Sequence, residues 1–315
     1  MPKKLLILGS QGMLGQELTK LFALDVAYAV TAWDREDVDM TDFAVFGARL
    51  TQERPDIVIN AVAYNAVDAC EKDDVEYAKA LLLNRDVPDF LAKKSAELGF
   101  LLTHYSTDCV FDGALEETPT KAGCCGGGCC GNNAAKSPNS TAEKLGYAEG
   151  ALPNPISRYG ESKYAGERAV QEHAERHYLI RLSRLFGKPG VSSEAKRSFF
   201  EIMLEAGQNK TEVQVVDSEK SCFTYAPDLA QATKELIESG DAWGVYHLPN
   251  SGGVTWYQAV HELYSQVGLK TPIIPVGPEA FPRPAKRPRY SVLLNTKRPP
   301  LRPYQEALRE FLQAK

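Results

Sequence analysis

Residues Lys4 to Leu8 form an almost continuous apolar run, the pattern of a parallel strand buried on both faces. The run meets Gly9-Ser10-Gln11-Gly12-Met13-Leu14-Gly15, after which Leu18, Leu21 and Phe22 recur at helical spacing. Tyr28 to Trp33 reads as a second strand ending in Asp34, Asp56 to Asn60 as a third and Phe100 to Tyr105 as a fourth, with a helix from Asp74 to Leu98. A further helical stretch opens near Arg158 and is expected to run to about His177, and Tyr178 to Leu182 is again strand-like. This alternation predicts an α/β fold, a doubly wound parallel sheet of the Rossmann kind. Beyond it, Val213 to Asp217, Gly244 to Leu248 and Thr255-Trp256-Tyr257 alternate with helical segments, as expected of a smaller C-terminal α/β lobe.

Charge and cysteine usage narrow the partners. The 315 residues carry 36 basic and 41 acidic side chains, a net charge of −5, which offers no field for nucleic acid or an anionic membrane. A small-molecule partner is expected, and a homodimer stays open. No apolar segment has the length of a membrane span. The seven cysteines are odd in number, and Cys124, Cys125, Cys129 and Cys130 crowd into one tract, unlike a secreted disulfide framework. A reducing cytoplasm is the expected compartment.

The glycine spacing gains meaning from its place between strand and helix. Gly9 suits a tight turn, Gly12 lets backbone approach a pyrophosphate, and Gly15 lets helix and strand pack closely. Asp34, roughly twenty residues on, suits a free adenosine ribose, whereas Arg35 suits a 2′-phosphate, so NADH and NADPH both remain open as cofactors. Residues 1–177 are therefore expected to be mainly the NAD(P)-binding domain and 178–315 mainly the substrate lobe, with the chain crossing between them.

Tyr159 and Lys163 stand one helical turn apart and share a face. A nearby ammonium favours phenolate, so Lys163 is expected to lower the Tyr159 value and make the phenol a usable proton donor. Thr107, at the end of the fourth strand, is placed to hold a carbonyl oxygen as it becomes an alkoxide.

These segments resemble the extended short-chain dehydrogenase/reductases and, within them, the dTDP-4-dehydrorhamnose reductase family. The resemblance rests on the three glycines, Asn60-Ala61-Val62-Ala63-Tyr64, Ser106-Thr107-Asp108-Cys109-Val110-Phe111-Asp112-Gly113 and Tyr159-Gly160-Glu161-Ser162-Lys163. It implies Thr107, Tyr159 and Lys163 as the catalytic set and reduction of the 4-keto group of a nucleotide sugar, dTDP-4-dehydro-L-rhamnose giving dTDP-L-rhamnose. Cofactor contacts would fall on Gly9, Gln11, Gly12, Met13 and Leu14, on Asp34, Arg35, Asp39 and Met40, and on Ala61, Ala63 and Tyr64, with Tyr159 and Lys163 completing them. Substrate contacts would fall on Val67, Thr107, Asp108, Arg184 and Arg287, the last in the cation-rich segment Lys286-Arg287-Pro288-Arg289.

The chain also departs from that pattern. Arg184 stands where the family often has tryptophan, and Ser218 to Thr224 lacks a glycine and a proline common there. An insertion at about 121–151 holds the cysteine tract, whose adjacent pairs lack metal-ligand spacing, so no metal is expected and a mobile rim is. His173 and His177 are expected on one solvent-facing helix side. Two rival functions use the same scaffold, a sugar-nucleotide epimerase or dehydratase and a non-catalytic NAD(P)-binding regulatory subunit. Dehydratases of this type commonly read Thr-Asp-Glu where this chain reads Thr107-Asp108-Cys109, and the intact Tyr159/Lys163 pair argues against a regulatory subunit.

Overall fold

Alternate residues of the first strand feed two different cores, and this decides the layering. In β1 (Lys3–Leu8), Leu5 and Ile7 pack with Leu14, Leu18 and Phe22 of α1 (Met13–Ala23) on one face. Leu6 and Leu8 pack on the other face with Phe46 and Leu50 of α2 (Phe43–Glu53), which follows β2 (Tyr28–Trp33). The structure, a computed structural model, describes residues 1–115, 145–191 and 197–314, so the cysteine tract lies outside the described residues.

The chain continues through β3 (Ile57–Asn60), α3 (Val67–Lys72), α4 (Asp74–Leu81), α5 (Val87–Leu98) and β4 (Leu101–Thr107), then α6 (Arg158–His173) and β5 (His177–Leu182). The long helix expected from Asp74 to Leu98 is interrupted by a wider π turn at Leu82–Asp86. Its Asn84 carbonyl meets Gly166 of α6, where a Cβ would come within 2.0 Å of that oxygen. The helix expected to reach His177 stops at His173, because Ala174 is extended at φ −104°, ψ 106°. His177 is consequently a buried residue of β5 rather than a solvent-facing helix residue, and its Nδ1 lies 2.6 Å from the Ala174 carbonyl. His173 lies 3.4 Å from Asp89.

After β6 (Leu185–Phe186), α7 (Phe199–Asn209), β7 (Val213–Val216), β8 (Lys220–Ser221) and β9 (Thr224–Tyr225), the chain returns to the large sheet through α8 (Ala226–Ser239) and β10 (Gly244–His247). It ends with β11 (Asn250–Ser251), β12 (Val254–Thr255), α9 (Trp256–Val267), β13 (Ile273–Val276), β14 (Leu301–Pro303) and α10 (Tyr304–Gln313). The large sheet is parallel throughout, in the order β10-β5-β4-β3-β1-β2. The strand order reverses between β1 and β3, and in such sheets that crevice at the carboxyl ends is where ligands sit. A second core of Phe186, Phe200, Phe223, Leu263, Tyr304 and Phe311 organises the C-terminal lobe beside it.

Candidate active site

Gly9 leaves β1 at φ +76°, a left-handed conformation that favours glycine. The backbone N–H groups of Gly9 and Ser10 both donate to the Trp33 carbonyl, at 2.9 and 3.2 Å, tying the turn to β2. A Cβ on Gly15 would stand 2.0 Å from the Gly9 carbonyl oxygen, so α1 approaches the turn as closely as backbone allows. Gly12 caps α1 with no side chain over the helix start, leaving first-turn N–H groups without a side-chain cap. This cradle fits the pyrophosphate of a dinucleotide.

Other expected cofactor residues divide between cleft and core. Asp34 accepts from the Gln11 N–H at 2.9 Å and the Arg35 N–H at 2.9 Å, which holds the carboxylate at the lip of the glycine turn. Arg35 is exposed beside it. Asp39 accepts from the Thr41 N–H and hydroxyl, at 2.9 and 2.6 Å, and that hydroxyl draws its carboxyl below the ordinary value. Leu14 and Met40 are buried in the two cores flanking the sheet, so their side chains serve packing rather than the cleft. Met13 lies near Gly187, and the segment from 187 to 191 covers the glycine turn, with the Val191 N–H donating to the Gln11 carbonyl at 2.9 Å. That cover is formed by residues distant in sequence and was absent from the expected site.

At the end of β3, Asn60 accepts from the Val62 N–H at 3.1 Å and its amide lies 3.2 Å from His104 Nδ1. Ala61 packs directly under Gly9, whose Cβ would come within 3.1 Å of it. Ala63 follows in the same loop and leads to Tyr64, whose N–H donates to Asn84 Oδ1 at 2.9 Å. Asn84 returns its amide to the Tyr64 carbonyl at 2.9 Å and to the Ser162 hydroxyl at 3.0 Å. This buried asparagine thereby ties the cofactor loop to α6. Its sequence signal is weak, a polar residue with poor helix propensity inside a long helical pattern.

Packing brings Thr107, Tyr159 and Lys163, the expected catalytic residues, to the end of β4. Ser157 caps α6 through the Gly160 N–H at 3.2 Å, and a Cβ on Gly160 would lie 2.3 Å from the Cys109 carbonyl, so the first turn of α6 rests on the end of β4. Thr107, Tyr159 and Lys163 are all buried there, and Thr107 stands near enough to the Tyr159 phenol to favour its ionised form slightly. Lys163 Nζ donates to the Tyr105 carbonyl at 2.7 Å. Burial pulls the Lys163 ammonium down to about 8, opposed by Glu167. Burial pushes the Tyr159 phenol well above its ordinary value, with Cys109 and Asp108 adding to the rise. The expected lowering of the phenol by Lys163 is not seen in this arrangement, where loss of water dominates and the lowering influence is Thr107. The high value suits a group that must keep its proton until an alkoxide forms.

The substrate side is more tightly engaged than the sequence suggested. Val67 opens α3 and packs with Tyr64 and Cys109 around Tyr159. Asp108 accepts on Oδ2 from the hydroxyls of Ser221 and Ser291, at 2.7 and 2.6 Å, and on Oδ1 from Thr107 at 3.2 Å. Arg184, at φ +43°, donates to the Val254 and Glu219 carbonyls at 2.9 and 2.8 Å and lies 3.8 Å over the Trp256 ring. Burial lowers its value to about 10, opposed first by Asp108. Arg287 pairs with Asp68 at 2.9 Å and donates to the Ala285 carbonyl at 3.2 Å, so its fork is partly committed to bridging α3 and the C-terminal segment.

Fold and site define a class, the NAD(P)-dependent oxidoreductases of the extended short-chain type. A family model described as the RmlD substrate binding domain matches residues 3–315, and the chain belongs to that family. It is 34% identical to a dTDP-4-dehydrorhamnose reductase of Streptomyces griseus, over 98% of this chain and 93% of that protein. It is 31% identical to the spore coat polysaccharide biosynthesis protein SpsK of Bacillus subtilis, over 98% of this chain and 97% of that one. A crystal structure of dTDP-4-dehydrorhamnose reductase from Bacillus anthracis in complex with NADP superposes with a TM-score of 0.84 at 28% identity, covering 100% of both chains.

Proposed function

We propose that this protein reduces the 4-keto group of a nucleotide-activated 6-deoxy sugar, with dTDP-4-dehydro-L-rhamnose as the first substrate to test and dTDP-L-rhamnose as the product. The observation that carries the proposal is the joint burial of Thr107, Tyr159 and Lys163 at the end of β4, with Lys163 on the Tyr105 carbonyl, at the same sheet end as the glycine turn. When bound, NADH or NADPH supplies hydride to the carbonyl carbon. Thr107 holds the carbonyl oxygen by hydrogen bonding, Tyr159 gives it a proton, and Lys163 orients the cofactor ribose beside them. Gly9, Gln11, Gly12 and the α1 N-terminus hold the pyrophosphate, and Asp34 or Arg35 meets the adenosine ribose.

Reduction is favoured over dehydration by the residue after Asp108. Burial pushes the Cys109 thiol up to about 12, so at neutral pH it has no charge with which to remove a proton. The compartment in this proposal is the cytoplasm, supported by the free cysteines Cys70, Cys109 and Cys222. No helix among the described residues is long and apolar enough to cross a membrane.

The test is purified protein with NADH or NADPH and a panel of 4-keto nucleotide sugars, following loss of reduced-cofactor absorbance and product identity. Oxidation of cofactor in proportion to a deoxy-sugar product is expected. A product formed with no net cofactor oxidation would favour the epimerase or dehydratase. Because Asp34 and Arg35 stand side by side, both cofactors are expected to work within about tenfold, or about 1.4 kcal/mol. A thousandfold kinetic preference in either direction would show that one of these residues is outside the site.

A further inference from the structure

The carboxylate of Asp108 is buried between the two lobes. Its partners come from three places: Thr107 on its own strand end, Ser221 in β8, and Ser291 near the C-terminus. The two serines are separated from Asp108 by 113 and 183 residues. Their backbones form a pair of their own, because the Lys220 N–H donates to the Arg289 carbonyl and the Ser291 N–H to the Lys220 carbonyl, each at 2.8 Å. The two hydroxyls therefore reach Asp108 as one unit of the C-terminal lobe.

We propose that Asp108 is a positioning residue that latches the C-terminal lobe onto the strand end bearing Thr107, with Ser221 and Ser291 as the other half of the latch. One oxygen accepts both serine protons, and the other accepts from Thr107 and, at 3.9 Å, from the Cys109 thiol. Burial raises the Asp108 carboxyl above its ordinary value, opposed first by the Ser291 and Ser221 hydroxyls and then by Arg184, so the two serines are what most favour the ionised form there. The carboxylate thus has its acceptor sites occupied by protein, which suits fixing the cleft more than gripping a sugar hydroxyl. The Thr107 hydroxyl bonded to Oδ1 also accepts from the Cys109 N–H at 3.2 Å, so its rotamer and the lobe position are set together. The latch would fix the cleft width at the reacting carbonyl, an effect that rests on the reductase function proposed above.

The serines supply the discriminating test, since neither is placed in the catalytic trio. Ser221→Ala/Ser291→Ala is expected to lower kcat/KM for the nucleotide sugar by about tenfold, chiefly through KM, with NAD(P)H affinity unchanged. Asp108→Asn, which replaces the doubly accepting oxygen or forces the amide against a donor, should give a similar loss. Combining all three changes should add no more than about threefold to the loss from Asp108→Asn alone, because they break one interaction. Multiplied losses would overturn the latch and show Asp108 acting on the sugar independently of the serines. Hydrogen exchange at the Lys220 and Ser291 amides tests the same latch without turnover. Faster exchange in both the serine and Asp108→Asn proteins supports it, and unchanged exchange in both overturns it. If no sugar is reduced by the wild-type protein, the proposed function fails while the exchange result still decides the latch.

Discussion

Tyr159→Phe lowers turnover on the best 4-keto nucleotide sugar by about 10²–10⁴-fold, the usual range for losing a general acid. The change removes one oxygen. The ring keeps its packing against Cys70 and Ala80, so folding and NAD(P)H binding are expected to survive. Thr107 keeps its place 3.2 Å from Asp108, and its one hydroxyl proton turns from that carboxylate to the substrate oxygen when substrate binds. Steady-state kinetics beside a fluorescence titration of reduced cofactor checks this directly. Near-normal turnover with unchanged binding would mean that another acid gives the proton.

Lys163→Met is expected to lower turnover by about 10²-fold and also to weaken cofactor binding, which separates it from the tyrosine change. Methionine fills much of the same volume but carries neither charge nor donor for the Tyr105 carbonyl, which Lys163 reaches at 2.7 Å. Because burial pulls the ammonium down to about 8, Lys163 is cationic below that pH and neutral above it. Wild-type kcat/KM should therefore fall on the alkaline side of about pH 8. Among the groups facing it, Glu167 raises the value, while burial keeps His104 neutral by holding its pKa well below the ordinary one. The methionine protein should lack that alkaline limb across a pH series. If it kept the limb unchanged, some group other than Lys163 would set it.

Several local features were legible because their causes are local. Strands show as largely apolar runs bounded by turn residues, so Lys4 to Leu8 and Tyr28 to Trp33 could be placed from pattern, and the structure has strands at Lys3–Leu8, buried from Leu5 on, and at the sheet edge over Tyr28–Trp33. Glycine spacing at 9, 12 and 15 is a backbone requirement visible in sequence, met here by a left-handed turn and the close approach of α1. The stop of α6 at His173 was missed, because His177 fits a helical face as well as it fits the start of a strand. The sheet register of His177 with Leu102 decides for the strand.

What the sequence determined by itself was the alternation of strands and helices, the strand–glycine–helix order and the one-turn spacing of Tyr159 and Lys163, all set within a few residues of chain. The tertiary structure alone decided the electrostatics and the partners. It buried Lys163 and Tyr159 so that loss of water lowers the first and raises the second, packed Met40 into the core, and engaged Arg287 with Asp68. It also joined Asp108 to serines 113 and 183 residues away. Such pairings depend on how lobes meet and on how much water they exclude, and no local pattern of residue types encodes either.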